Sequence, residues 1–250
     1  MRKFSAFAPS VPSFPDFPFH VFPPMLNVLY EDNHLLVLNK PIQIATMGLP
    51  KGEETLLTRA KAYIAAKYHK PGNVYLGVVS RLDVPVSGVV VFARTSKAAD
   101  RLNEQFRAHT VEKIYLAAVD GCIPPEGTCR DLIKEDERHR KCYITRDPTE
   151  KNRQGGAARE AVLHFRRLSF TPKGSLVEVR LETGRKHQIR LQLSHLGYPI
   201  KGDRKYGSRT VLAAGIALHA QSLTLDHPIS QERLTFTAEP PKFWKDLGVQ

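Results

Sequence analysis

Cysteine is scarce in this chain: there are three, Cys122, Cys129 and Cys142, with no C-x-x-C pair and no metal-ligand spacing among them. That argues against a disulfide framework and against a structural zinc site, and it fits a reducing, cytoplasmic setting. Long hydrophobic runs are missing too. No stretch approaches the ~18 consecutive apolar residues of a membrane span, and the N-terminus lacks the unbroken apolar core of a secretory signal, so a soluble, unexported protein without a membrane partner is expected. There is no internal repeat and no βαβ rhythm, which removes the repeat architectures and the parallel doubly wound sheets. His187, His195 and His219 show no metal-site spacing, and neither metal nor organic cofactor is expected.

What the chain does have is length, apolar content and positive charge. With 250 residues and 42% hydrophobic composition it can bury a sizeable core. Thirty-seven Lys and Arg against 25 Asp and Glu leave a formal net charge of +12. Such an excess points to a polyanionic partner or an acidic membrane surface. It is uneven: Arg166 to Arg209 holds eleven Lys or Arg against Glu178, Glu182 and Asp203.

Residues 1–24 carry six Phe and six Pro, a spacing that forbids helix or central strand and reads as an irregular arm laid partly on the rest of the protein. Residues 25–250 read as one larger domain. Short apolar runs at 26–30 and 35–38 predict a hairpin, 74–79 and 88–93 predict strands, and 113–119 a further strand. Helices are predicted over 55–68, over 96–108 with Ser96 as cap, and over 185–196, ended by Gly197. Residues 134–160 mix both charge signs and end in Gly155-Gly156, which suggests a mobile excursion. A hairpin over 162–168 and 175–181, then strands near 216–225 and 234–237, complete an α+β pattern with a mixed or mainly antiparallel central sheet flanked by helices.

Asp83 sits in the proline-containing turn Ser80 to Ser87 between two strand runs. By its type alone it reads as a surface ion pair or a cap. Its apolar neighbours, however, imply partial desolvation and the need for a cationic partner. Arg185, following a glycine at a predicted helix start, is a candidate, since its guanidinium can grip a carboxylate bidentately.

Three ordered stretches carry a resemblance. Ser80-Arg81-Leu82-Asp83-Val84-Pro85-Val86-Ser87-Gly88, then Glu112-Lys113-Ile114-Tyr115-Leu116-Ala117, then Leu181 to Arg190 with Gly197-Tyr198-Pro199-Ile200, Gly202-Asp203 and Tyr206-Gly207, resemble the motifs of RluA-type RNA pseudouridine synthases. The resemblance runs from about Leu26 to Leu247. It implies the pseudouridine synthase fold, with a cleft across the sheet, and isomerisation of uridines in ribosomal or transfer RNA without a cofactor. Asp83 would be the catalytic aspartate, Tyr115 would stack on the target uracil, Arg185 would pair with Asp83, and Arg81 would help hold the flipped state. Lys113, Lys186, His187, Gln188 and Arg190 are expected to touch RNA or support the site. A monomer with no obligatory protein partner is the implied working unit.

Two departures stand out. The family usually has His where this chain has Ser80, and often a second His where it has Gln192, which bears on RNA contacts and substrate choice. No segment before Asp83 looks like the small basic RNA-binding module of many relatives. Two rival readings are an inactive RNA-binding or ribosome-assembly factor on the same fold, and a nuclease or glycosidase. The latter would call for a second convergent carboxylate or a metal cluster.

Overall fold

A computed structural model of the chain describes residues 26–50, 52–149 and 156–249. The Phe/Pro arm expected at 1–24 and part of the expected excursion, 150–155, lie outside the described residues. The strands are β1 (Val28–Glu31), β2 (Leu35–Lys40), β3 (Gly77–Val78), β4 (Ser87–Ala93), β5 (Glu112–Val119), β6 (Glu126–Asp136), β7 (Lys141–Thr145), β8 (Arg159–Thr171), β9 (Gly174–Leu181), β10 (Leu218–Asp226) and β11 (Arg233–Thr237). Three α-helices, α1 (Leu56–Lys67), α2 (Ser96–Arg107) and α3 (Gln188–His195), and two short 3-10 segments, Arg204–Tyr206 and Lys242–Leu247, complete the described elements. None of the helices is long and apolar enough to cross a membrane.

All eleven strands join one sheet in the order β1-β2-β4-β10-β5-β9-β8-β6-β7, with β11 also on β10 and β3 on β4. Every pairing is antiparallel except β4 with β10, where only His219↔Ser87 and Ala220↔Gly88 are in register. The sheet is therefore mixed and mainly antiparallel, as the strand pattern predicts.

Strand periodicity explains how the first half is covered on both faces. Leu35, Val37, Val89 and Val91 pack with α2 through Ala98, Ala99 and Leu102. The alternate residues Leu36, Leu38, Val90 and Phe92 pack with α1 through Leu56, Ala60 and Ile64. Two buried faces require an unbroken apolar run rather than alternation, and β2 and β4 read that way. The starts of α1 and α2 are each satisfied by a threonine: Thr55 forms a reciprocal capping pair with Thr58, and Thr95, one residue earlier than the sequence suggests, accepts from the Ala98 backbone N–H. A further core, built on β5, β8, β9 and α3, includes Val177, Val179, Ile189 and Leu193.

One expectation fails here. Residues expected to form a mobile excursion instead supply much of the β6–β7 hairpin, paired from Leu132↔Thr145 to Asp136↔Lys141. The strands escape a sequence reading because β7 is a sheet edge and β6 lies beside it, so that charged side chains occupy their open positions.

The parallel seam needs Gly88. Its φ is 118°, and a Cβ there would lie within 2.6 Å of Ala220 N and closer still to the Ala220 carbonyl oxygen. Both the backbone conformation and the approach of β10 demand glycine. Gly88→Ala is expected to lower unfolding stability by about 2 kcal/mol or more, whereas Gly184→Ala, which meets nothing within 4 Å, stays within about 0.5 kcal/mol of wild type. Urea denaturation of both variants checks the contrast.

Candidate active site

The turn from Ser80 to Val86 delivers Asp83 to the seam, and it is fastened on both sides. From the β2 side, Lys40 Nζ donates to the carbonyl of Val84 (3.3 Å) and Gln43 N donates to the same oxygen (2.9 Å). Thr46 Oγ1 bonds both the N–H and the carbonyl of Leu82. From the other side Ile216 N donates to Pro85 O, at 3.3 Å, while Val86 N closes the turn on Asp83 O. Ser80, where the resemblance leads one to expect histidine, accepts the Val91 backbone N–H through its hydroxyl (3.1 Å). It anchors the turn to β4.

The cation that holds Asp83 is Arg190. Its NH1 donates to Asp83 Oδ2 at 2.9 Å, while its Nε and NH2 grip Asp203 Oδ2 and Oδ1 at 2.6 and 2.9 Å. The Arg190 and Asp203 side chains are 6% and 1% exposed, against 29% for Asp83, so a buried pair supports a reachable carboxylate. Burial alone would push the guanidinium down, but Asp203 and then Asp83 outweigh it and hold Arg190 above the ordinary arginine range.

The expected partner, Arg185, is elsewhere. Its Nε donates to the Glu160 carbonyl at 2.8 Å. The reason lies in where α3 begins: the helix starts at Gln188, not at Arg185, and His187 before it takes a left-handed conformation with φ 55°. Gln188 folds back to accept from Arg185 N (2.9 Å) and Thr183 Oγ1 (2.8 Å), and its Nε2 donates to Val162 O (3.0 Å). The segment 184–187 is thus a turn, which swings Arg185 toward β8 and leaves Arg190, one helical turn on, facing Asp83. Gln188 and Arg190, expected to touch RNA or support the site, are both buried, and their contacts are of the supporting kind: Arg190 holds Asp83 and Gln188 orders the turn before α3. Gln192 is buried as well, with Nε2 donating to Asp131 Oδ2 and Ala161 O, so that departure from the family pattern is spent inside the protein.

Asp83 opens into a cleft of about 1470 Å³ that crosses the sheet. Tyr115, on β5, lines it. Burial, and then the charge of Asp83, raise its phenol, so the ring is presented with its hydroxyl neutral. Arg81, Lys113, Arg185, Lys186 and His187 line the same cleft, joined by Arg107 and Lys205, which the sequence reading did not single out. Lys113 is largely buried, and that burial, with the nearby Arg185 charge, lowers its ammonium. Lys186 is ion-paired with Glu135 of β6 at 2.7 Å. His187 Nε2 stands 3.6 Å from Asp83 Oδ2.

Lys40 was invisible to motif reasoning. It is fully buried, and its Nζ donates to Pro41 O (2.9 Å), Ile44 O (2.8 Å) and Val84 O. Burial lowers it from 10.5 to about 7, although the charge of Asp83 pulls the other way. A lysine closing an apolar strand immediately before a proline is the signal that could have marked it.

A sequence model of one family, described as RNA pseudouridylate synthase, matches residues 34–195. An uncharacterized RNA pseudouridine synthase, YhcT, of Bacillus subtilis (strain 168) is 36% identical over 226 residues, covering 89% of this chain and 71% of that protein. The ribosomal large subunit pseudouridine synthase D of Xanthomonas campestris pv. campestris is 36% identical over 234 residues, covering 87% and 66%. Among solved structures, human RNA Pseudouridylate Synthase Domain Containing 4 superposes with a TM-score of 0.70 at 26% identity, over 88% of this chain and 91% of that one.

Two outcomes test this geometry. Asp203→Ala leaves the buried Arg190 with half its neutralisation and is expected to cost about 3 kcal/mol of stability, read by urea denaturation. The folded protein binds the Lys40 proton more weakly than the unfolded chain does, so unfolding takes up a proton between about pH 7 and the ordinary lysine value of 10.5. The Lys40 contribution to stability therefore rises with pH across that window, and melting curves of Lys40→Met are expected to show a flatter rise than wild type.

Proposed function

Because the chain belongs to the RNA pseudouridylate synthase family, whose reaction isomerises uridine to pseudouridine, we propose that Asp83 is its catalytic aspartate and that the basic cleft receives the flipped uridine. The observation that carries the reading is the Asp83 carboxylate, fixed through Oδ2 by a buried arginine, yet open to a cleft lined by Tyr115 and by cations.

The reaction breaks the N1–C1′ bond, turns the detached uracil and joins C5 to C1′; C5 loses a proton and N1 ends protonated. Both faces of a normally stacked base must be reached, so the nucleotide has to leave the stack. Unstacking costs a few kcal/mol, which stacking on Tyr115 and contacts to the cationic rim offset. Whether Asp83 adds to the sugar or base or removes a ribose proton, it must be ionised. Arg190 places its positive charge against Asp83 Oδ2 at 2.9 Å. The cleft exceeds the ~300–1,000 Å³ of a small-molecule pocket, which suits a nucleotide with its neighbours.

Arg81, Lys113 and Lys186 take the phosphate or flipped-base contacts in this reading, and Arg185 joins them rather than Asp83. Ribosomal RNA is the first substrate to test, given the name of the Xanthomonas relative, with transfer RNA second. Three free cysteines suit a reducing cytoplasm.

Asp83→Asn is expected to abolish tritium release from C5-labelled uridine in RNA while leaving RNA binding within a few fold; retained turnover removes Asp83 from this role. Arg185→Ala is expected to raise KM for RNA by roughly fivefold with kcat nearly unchanged. A fall in kcat at unchanged KM would instead return Arg185 to the chemistry.

A further inference from the structure

Arg190 reaches Asp83 through one nitrogen only, because its other two are committed to Asp203. A single N–H···O contact fixes where Oδ2 lies but leaves the carboxylate free to turn about that contact. A second donor on the same oxygen would remove that freedom. The group placed to provide it is His187, whose Nε2 is 3.6 Å from Oδ2.

Its tautomer follows from a chain of donors. The Cys142 backbone N–H donates to the Tyr206 hydroxyl oxygen at 2.9 Å, and that hydroxyl stands 2.7 Å from His187 Nδ1. Tyr206 is buried, and its O–H needs an acceptor. Nδ1 is the one within reach, so Nδ1 carries the lone pair and Nε2 carries the hydrogen, directed at Asp83. Burial lowers the imidazole and favours the neutral form that this arrangement requires. The layout is also doubled: Asp203 precedes and Tyr206 ends one 3-10 turn, His187 and Arg190 lie at the start of one helix, and Asp203 holds Arg190 as Tyr206 holds His187.

Resting on the reading of Asp83 as the catalytic aspartate, we infer that His187 is a positioning residue, locked by Tyr206 as the Nε2–H tautomer, which pins Asp83 Oδ2 and leaves Oδ1 for the reaction. Among the described residues the hydrogen bond to the Asp83 carboxylate falls on Oδ2 and none on Oδ1. The 3.6 Å separation closes to a hydrogen bond as the flipped nucleotide expels water from the cleft, so the contribution falls on kcat rather than on RNA affinity.

The test uses full-length protein and a C5-tritiated RNA substrate. His187→Ala is expected to lower kcat at least tenfold with KM within threefold. His187→Gln, whose amide N–H replaces Nε2–H, is expected to recover to within about threefold of wild type, and Tyr206→Phe to fall between them. Nitrogen-15 NMR of the folded protein, with His187 assigned by its loss in His187→Gln, is expected to show Nδ1 unprotonated. A kcat for His187→Ala equal to wild type, while Asp83→Asn is inactive, overturns the inference and leaves the proposed function standing. So does a protonated Nδ1, which needs no activity to read. An active Asp83→Asn overturns both.

Discussion

The shared arginine is the constraint around which the site is arranged. A guanidinium this deeply buried is tolerable only with its charge matched, and Asp203 does the matching with a two-pronged grip. That grip makes Arg190 a fixed object. Asp83 can then be partly exposed and still have its Oδ2 held in one place, because its partner does not move. An exposed lysine in the same place would give the charge without the geometry, since its ammonium sits on a flexible stem and stays strongly hydrated. The order of burial, from Asp203 through Arg190 to Asp83, takes the site from structure to chemistry in two hydrogen-bonded steps.

Much of the frame was legible because local rules and the global fold agree. The apolar runs of β2 and β4, the start of α2 to within one residue, and the glycine-ended α3 each follow from short-range chemistry. The β6–β7 hairpin did not, since an edge strand carries its charges outward and its identity lies in partners far away in sequence. The motif stretches singled out Asp83 and Tyr115, which the fold brings to one cleft, but the choice between Arg185 and Arg190 as the partner of Asp83 depended on three residues of helix start. Nothing in composition announces that Gln188 will fold back on Arg185 N and Thr183 and so delay the helix. Lys40 was missed for a related reason: its burial is decided by the carbonyls of Ile44 and Val84, which only the folded chain brings together.

The positive charge divides in the same way. Read along the sequence, Arg166 to Arg209 is a basic block; in space its members part company. Arg190 is consumed inside, Arg166 pairs with Glu178 on the sheet surface, and Arg185, Lys186 and Lys205 come to the cleft. Net charge therefore predicts the class of partner better than it predicts which cations meet it.

The Asp83 turn is bonded to Gln43, Thr46 and Lys40 on one side and to Ile216 and Arg190 on the other, directly over the short parallel seam. The segment that carries the proposed catalytic aspartate is thus also a structural tie between β2 and α3. Evolution cannot vary one duty without the other: a change in this turn that might suit a different nucleotide first meets the demand that the sheet still close. Freedom to diverge is accordingly greater outside this turn, at exposed positions of the cleft rim such as Arg107, which carry no comparable set of backbone ties to other elements.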